Sequence, residues 1–191
     1  METNSVLHIK NMVCHRCVLV VDQELKKLGV LEATVTLGKV ILHYPLASST
    51  MLLFEKKLQA LGFELIKNRR GAIVEQIKNL VIKIVDADEK LAINMSYYLS
   101  EQLDVEYSYA SKLFSESEGI TIERYYILLR IERVKEYISY GELSLVEIAT
   151  KLYYNDLSHM SKQFKNVMGV SPSKYKKDQV FQRNHLDKII T

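Results

Sequence analysis

Only two prolines and seven glycines occur among the 191 residues, so there is little material for long irregular loops. Two cysteines, Cys14 and Cys17, are too few for a secreted disulfide framework, and a close pair in a reducing compartment points to metal ligation or redox chemistry. No stretch approaches the roughly 18 apolar residues that a membrane-spanning helix needs. Residues 1–11 lack a basic region followed by an apolar core, so no signal peptide is expected. A Ser/His/Asp set, a phosphate-cradling glycine loop and a carboxylate pair are also missing, which argues against an enzyme. The expectation is a cytoplasmic, non-catalytic protein without a membrane partner.

What is present is ordinary globular composition, 48% apolar and 26% charged, with enough chain for one or two cores. The net charge of +3 is unevenly spread. Residues 1–70 hold ten Lys/Arg and six Asp/Glu, residues 71–143 eight and thirteen, and residues 144–191 eight and four. The last segment has a balance suited to phosphate; the middle one does not.

The hydrophobic period divides the chain. Val6–Met12, Val30–Thr36, Lys39–Tyr44 and Phe63–Lys67 read as strands, with Leu37-Gly38 as a hairpin turn. Cys17–Leu28 and Ser48–Leu61 read as helices ended by Gly29 and Gly62. In the first, Leu19, Val20, Leu25 and Leu28 form the apolar set. In the second, Leu52, Leu53, Leu58 and Leu61 are expected inside, with Ser48 or Ser49 as cap. The order is βαββαβ, a ferredoxin-like α+β domain over residues 1–70. Asn68-Arg69-Arg70-Gly71 marks a boundary. From Ala72 the period is helical, opening with Ile73, Ile77, Leu80, Val81, Ile84 and Val85, so residues 71–191 are expected to be all-α.

Between the first strand and first helix lies Met12-Val13-Cys14-His15-Arg16-Cys17. A two-residue gap lets both sulfurs turn to one point. The helix start, His15 and Arg16 are each expected to lower a thiol pKa. Two soft thiolates suit Cu(I); Zn(II) wants four ligands, and only His15 and Asp22 stand near, so zinc is the weaker candidate. His8 and His43 lie on strands and read as surface or core residues. Met12, Cys14 and Cys17 within this frame resemble the M-x-C-x-x-C loop of heavy-metal-associated domains, and Gly62-Phe63 resembles that family's last loop. The resemblance covers residues 4–68 and implies Cys14 and Cys17 as metal ligands, with Met12 as core. It departs at Asn11, where the family has glycine, and at the bulky His15 and Arg16. A thioredoxin-like oxidoreductase is the rival enzyme reading, but about 65 residues is short for that fold.

In the helical half, one arrangement occurs twice: short helix, tight turn, second helix, glycine. Tyr98, Leu99 and Leu103, then Tyr109, Leu113 and Phe114, are inner positions of the first unit, closed by Gly119. Leu145, Ile148, Ala149 and Leu152, then Met160, Phe164 and Val167, are those of the second, closed by Gly169. Phe114 and Phe164 are fifty residues apart, and Ile122–Tyr140 is a linking helix.

Leu99-Ser100-Glu101-Gln102-Leu103, Ser111-Lys112-Leu113-Phe114, Glu147-Ile148-Ala149 and Phe164-Lys165 with Gly169-Val170-Ser171-Pro172 and Tyr175 resemble the AraC/XylS-type DNA-binding domain over residues 72–178. The resemblance implies two recognition helices entering adjacent major grooves. Ser108, Ser111 and Lys112 match base-facing positions on the first; Ser158, His159, Ser161 and Lys162 match them on the second. Lys165, Lys174, Lys176 and Lys177 suit phosphates. The partners implied are double-stranded promoter DNA, a second copy of the chain and RNA polymerase. Tyr153-Tyr154 replaces the family's Gly-Phe, and Tyr153 either distorts that turn or adopts the left-handed conformation at a cost.

The joint expectation is a soft-metal-responsive regulator of this type. Its rivals are a constitutive or thiol-redox regulator with an N-terminal dimerisation domain, and a metal-handling protein whose helical half binds a protein partner. The 179–191 tail is left unassigned.

Overall fold

The computed structural model describes residues 5–87, 91–178, 186 and 189. The first elements are β1 (Ser5–Lys10), α1 (His15–Lys27), β2 (Ala33–Thr36), β3 (Lys39–Leu42), α2 (Ser48–Ala60) and β4 (Glu64–Ile66). The strands form one sheet in the order β2-β3-β1-β4, every neighbouring pair antiparallel. Leu7 stands opposite Val40, and Ile9 opposite Leu65. Alternate strand residues face one side, where Ile9, Val40 and Leu42 meet Val21 and Leu25 of α1 and Phe54 and Leu58 of α2. Truncating one such side chain to alanine costs about 2–5 kcal/mol.

The leucines expected inside are partly misassigned. Leu52, Leu53 and Leu61 are about half exposed, and the inner face of α2 belongs to Phe54 and Leu58, as that of α1 belongs to Val21 and Leu25. Both inner pairs are spaced by four, about one helical turn. Helix α2 starts after Ala47 with no side-chain cap, so Ser48 and Ser49 are helical residues rather than caps.

The helical elements are α3 (Arg69–Asp86), α4 (Met95–Leu103), α5 (Tyr107–Glu118), α6 (Ile122–Tyr140), α7 (Leu145–Lys151), α8 (Leu157–Met168) and α9 (Pro172–Asp178). The chain divides into two compact units, Met1–Leu80 with Leu99–Leu113, and Val81–Tyr98 with Phe114–Thr191. In the second, Ile131, Val134 and Ile138 of α6 pack with Ile148 and Ala149 of α7, Met160 and Phe164 of α8, and Tyr175 of α9. Helix starts are well made: Thr121 caps α6, and Ser144 and Glu147 form a reciprocal capping box on α7. In α5 the buried set is Ala110, Leu113 and Phe114, while Tyr109 is exposed, one position out of phase. No helix among the described residues is long and apolar enough to cross a membrane.

Candidate nucleic-acid interface and thiol pair

Helix α8 has two unlike faces. Asp156 caps its start by accepting from the His159 N–H at 2.7 Å. Met160 and Phe164, four residues apart, are fully buried. On the opposite side Ser158, Lys162 and Lys165 are exposed and Ser161 half-buried. The spacing 158, 161, 162, 165 is a single stripe along a helix. No acidic residue occurs in α8, so the only charges on the stripe are the positive ones of Lys162 and Lys165. Lys174, Lys176 and Lys177 stand exposed on α9, while Tyr175 turns inward onto Phe164 with ring centres 5.4 Å apart.

The same layout lies fifty residues earlier. On α5 Ser108 and Lys112 are exposed and Ser111 half-buried, but Glu116 and Glu118 share the helix. Tyr125 packs on Phe114 at 5.6 Å, as Tyr175 does on Phe164. The signal for this was available in the sequence: Gly119, Thr121 and Tyr125 repeat the spacing of Gly169, Ser171 and Tyr175. The turns between the paired helices differ. Residues 104–106 join α4 to α5, with Asp104 at φ 53°, whereas residues 152–156 join α7 to α8.

His159 stands apart from the other candidate base readers. It is half-buried, its ring edge lies on Tyr154 with centres 5.5 Å apart, and Nε2 is 3.2 Å from the Gln163 side chain. Tyr154 in turn lies beneath Arg130 of α6, whose guanidinium carbon is 3.5 Å from the ring centre. Burial pushes the Tyr154 phenol up to about 12, against the opposing pull of Arg130. Arg130, itself buried, donates from Nη2 to the Leu152 carbonyl at 2.6 Å.

Tyr153 adopts the left-handed conformation, φ 55°. Its N–H bonds the Thr150 carbonyl and that of Tyr154 bonds the Ala149 carbonyl, which is the Schellman ending of a helix. Gly29 and Gly62 end α1 and α2 by the same two bonds.

Cys14 is the N-cap residue of α1 and Cys17 lies in its first turn. The sulfurs are 3.7 Å apart, and both thiols are free. The expectation that both pKa values fall is corrected. Burial opposes ionisation of Cys14, but the Cys17 backbone N–H and thiol, followed by the Arg16 N–H and charge, hold it below the usual thiol range. Burial and the neighbouring Cys14 push Cys17 up, despite backbone N–H bonds. With metal–sulfur bonds of about 2.3 Å, this separation lets one ion touch both sulfurs. Among the described residues no group of three or more His, Cys, Asp and Glu converges. Met12 is fully buried in the core.

Asn11 explains its departure from glycine. It takes φ 72°, which asparagine tolerates better than most side chains. Its N–H donates to Glu75 Oε1 of α3 at 2.9 Å, and its Nδ2 to the Gly62 carbonyl at 2.9 Å. The loop after β1 is thereby joined to the loop after α2 and to α3. His43 is exposed; His8 is half-buried, and burial, then Lys39, lowers its pKa.

Residues 99–178 match the Helix-turn-helix domain family. The chain is 30% identical over 107 residues to the Msm operon regulatory protein of Streptococcus mutans serotype c, covering 56% of this chain and 37% of that protein. It is 21% identical over 114 residues to the uncharacterized HTH-type transcriptional regulator YtdP of Bacillus subtilis, covering 60% of this chain and 15% of that one. The chain thus spans about a third or less of these relatives' lengths. The C-terminal domain of AraT, a response regulator from Geobacillus stearothermophilus, shares the fold with TM-score 0.51 and 24% identity, over 62% of this chain and 92% of that domain. Residues 99–178 thus resemble helix-turn-helix domains, and the helical part of the chain shares the fold of this regulator C-terminal domain.

Proposed function

We propose that the chain is a DNA-binding transcription regulator of AraC type. The observation that carries this is the helix-turn-helix match over residues 99–178 together with the positive, outward stripe of α8. In this reading α8 enters a major groove with Ser158, Ser161 and Lys162 toward base edges, Lys162 being suited to guanine. Lys165, Lys174, Lys176 and Lys177 take phosphates and fix the register. Helix α5 reads an adjacent groove with Ser108, Ser111 and Lys112, but Glu116 and Glu118 oppose the phosphate field, so the second unit anchors the complex. Promoter DNA is the partner, with a second copy of the chain and RNA polymerase as the protein contacts such a regulator uses.

The N-terminal unit serves as the sensor, a heavy-metal-associated-like, ferredoxin-like domain that takes a soft metal ion at Cys14 and Cys17. The free thiols at 3.7 Å support this reading, and the two-sulfur donor set favours Cu(I) over Zn(II). Cys14 and Cys17 would hold such an ion as thiolates. The chain's own part is to hold the loop through Asn11 and to present Cys14 at the surface. Regulation requires different metal affinity in the DNA-competent and incompetent states.

The test is binding to DNA from the gene's own upstream region, without metal and with Cu(I), at fixed salt. Metal-dependent affinity that disappears in the Cys14→Ser/Cys17→Ser double variant is expected. Salt-sensitive binding indifferent to metal would leave a constitutive or thiol-redox regulator. Absence of binding to any duplex would remove the DNA reading.

A further inference from the structure

We infer that Arg130 is a positioning residue for the recognition helix α8, acting through the Tyr153-Tyr154 turn and never touching DNA. The inference rests on the reading of α8 as a DNA-contacting helix. The connection from α7 to α8 is five residues, 152–156, and its backbone passes through a left-handed tyrosine. For a residue with a Cβ that conformation is unfavourable, so something must hold it. Gly29 and Gly62 make the same helix ending with no such cost. Arg130 supplies two restraints on either side of Tyr153. Its Nη2 donates to the Leu152 carbonyl at 2.6 Å, and its guanidinium covers the Tyr154 ring at 3.5 Å. Tyr154 passes the restraint to α8 through its edge contact with His159 in the first turn. Arg130 is 7% exposed, which keeps both interactions out of water and makes it unsuited to a phosphate.

His159 acquires a different task from its neighbours in consequence. Ser158 and Lys162 present free surfaces, whereas the His159 ring is the contact through which the turn sets the helix orientation.

The experiment uses the full chain and a duplex enriched from a random pool by the wild-type protein, against a scrambled duplex of equal composition. Arg130→Lys and Arg130→Met are expected to lower the enriched-to-scrambled affinity ratio by about tenfold or more, the scale of a lost charged hydrogen bond. Affinity for the scrambled duplex and its salt slope should stay as in the wild type, because no phosphate contact is lost. Tyr154→Phe keeps the ring and should keep the ratio; Tyr154→Leu should lower it. Tyr153→Gly makes the turn free of strain and should restore the ratio in the Arg130→Lys background. An unchanged ratio in both Arg130 variants, or a salt slope reduced by about one, would overturn the positioning role while leaving DNA binding intact. If the wild-type protein enriches no duplex, the DNA reading fails and this inference falls with it.

Discussion

Tyr153 ends α7 with the backbone geometry by which Gly29 ends α1: φ is 55° at one and 78° at the other, and each is followed by the same bond to the third-last carbonyl of its helix. The side chain is the only difference, and it carries the cost. Tyr153→Gly is therefore expected to stabilise the chain by up to about 1 kcal/mol, the left-handed penalty less the ring contacts given up. Chemical denaturation followed by circular dichroism measures it. A clear loss of stability would show that the tyrosine ring contributes more than the backbone strain costs.

Two glycines separate strain from crowding. Gly29 has open space where a Cβ would project, so Gly29→Ala should cost only about 1 kcal/mol, for the positive φ alone. At Gly38 the same atom would stand 2.2 Å from Nδ2 of the buried Asn79, on top of a φ of 71°. Gly38→Ala should be the more damaging by about 1–3 kcal/mol, the usual cost of overpacking. Equal unfolding midpoints for the two variants would rule out the Asn79 contact as a constraint on the hairpin.

The Glu24 carboxylate accepts from Lys27 at 2.5 Å and from Lys57 of α2 at 2.9 Å, and these bonds hold its pKa below the ordinary 4.5. A depressed carboxylate stabilises the fold fully above its unfolded value and loses that contribution as pH falls through the folded value. The difference in thermal midpoint between wild type and Glu24→Gln should thus be largest at neutral pH and shrink as pH falls below the ordinary carboxylate range. A gap that is constant from pH 7 to pH 3 would mean Glu24 contributes through packing only.

Charge on the two outward stripes predicts unequal roles. Lys162→Ala and Lys165→Ala should weaken DNA binding more than Lys112→Ala, because Lys112 shares its helix with Glu116 and Glu118 and α8 has no acidic residue. Each phosphate contact removed should lower the salt slope by about one. Fluorescence anisotropy at several salt concentrations gives both quantities. A larger effect from Lys112 would reverse the assignment of the anchoring unit.

Local patterns accounted for much of the architecture. Helix α6 has the limits its periodicity suggests, Ile122–Tyr140, because Thr121 and Gly141 are strong end signals. Strand β2 begins at Ala33 rather than Val30, since Val30 is consumed in closing α1. The leucines of α2 were unreadable as a face: Leu52, Leu53, Leu58 and Leu61 surround the helix, and only packing chose Phe54 and Leu58. The opposite pKa directions of Cys14 and Cys17 depend on burial and on each other, neither of which spacing reveals. Arg130 on Tyr154 and Glu75 on Asn11 join positions 24 and 64 residues apart, beyond any periodic pattern.

The fifty-residue repeat bears on how much substitution such a chain tolerates at its surface. Phe114 with Tyr125 and Phe164 with Tyr175 secure each helix pair from within, while on the outer stripe Ser108, Ser111 and Lys112 recur as Ser158, Ser161 and Lys162 and Ser115 gives way to Lys165. Mutations on the outer stripe of α5 therefore cost the molecule little of its fold. A stripe that carries no part of the core can change its charge while the fold stands.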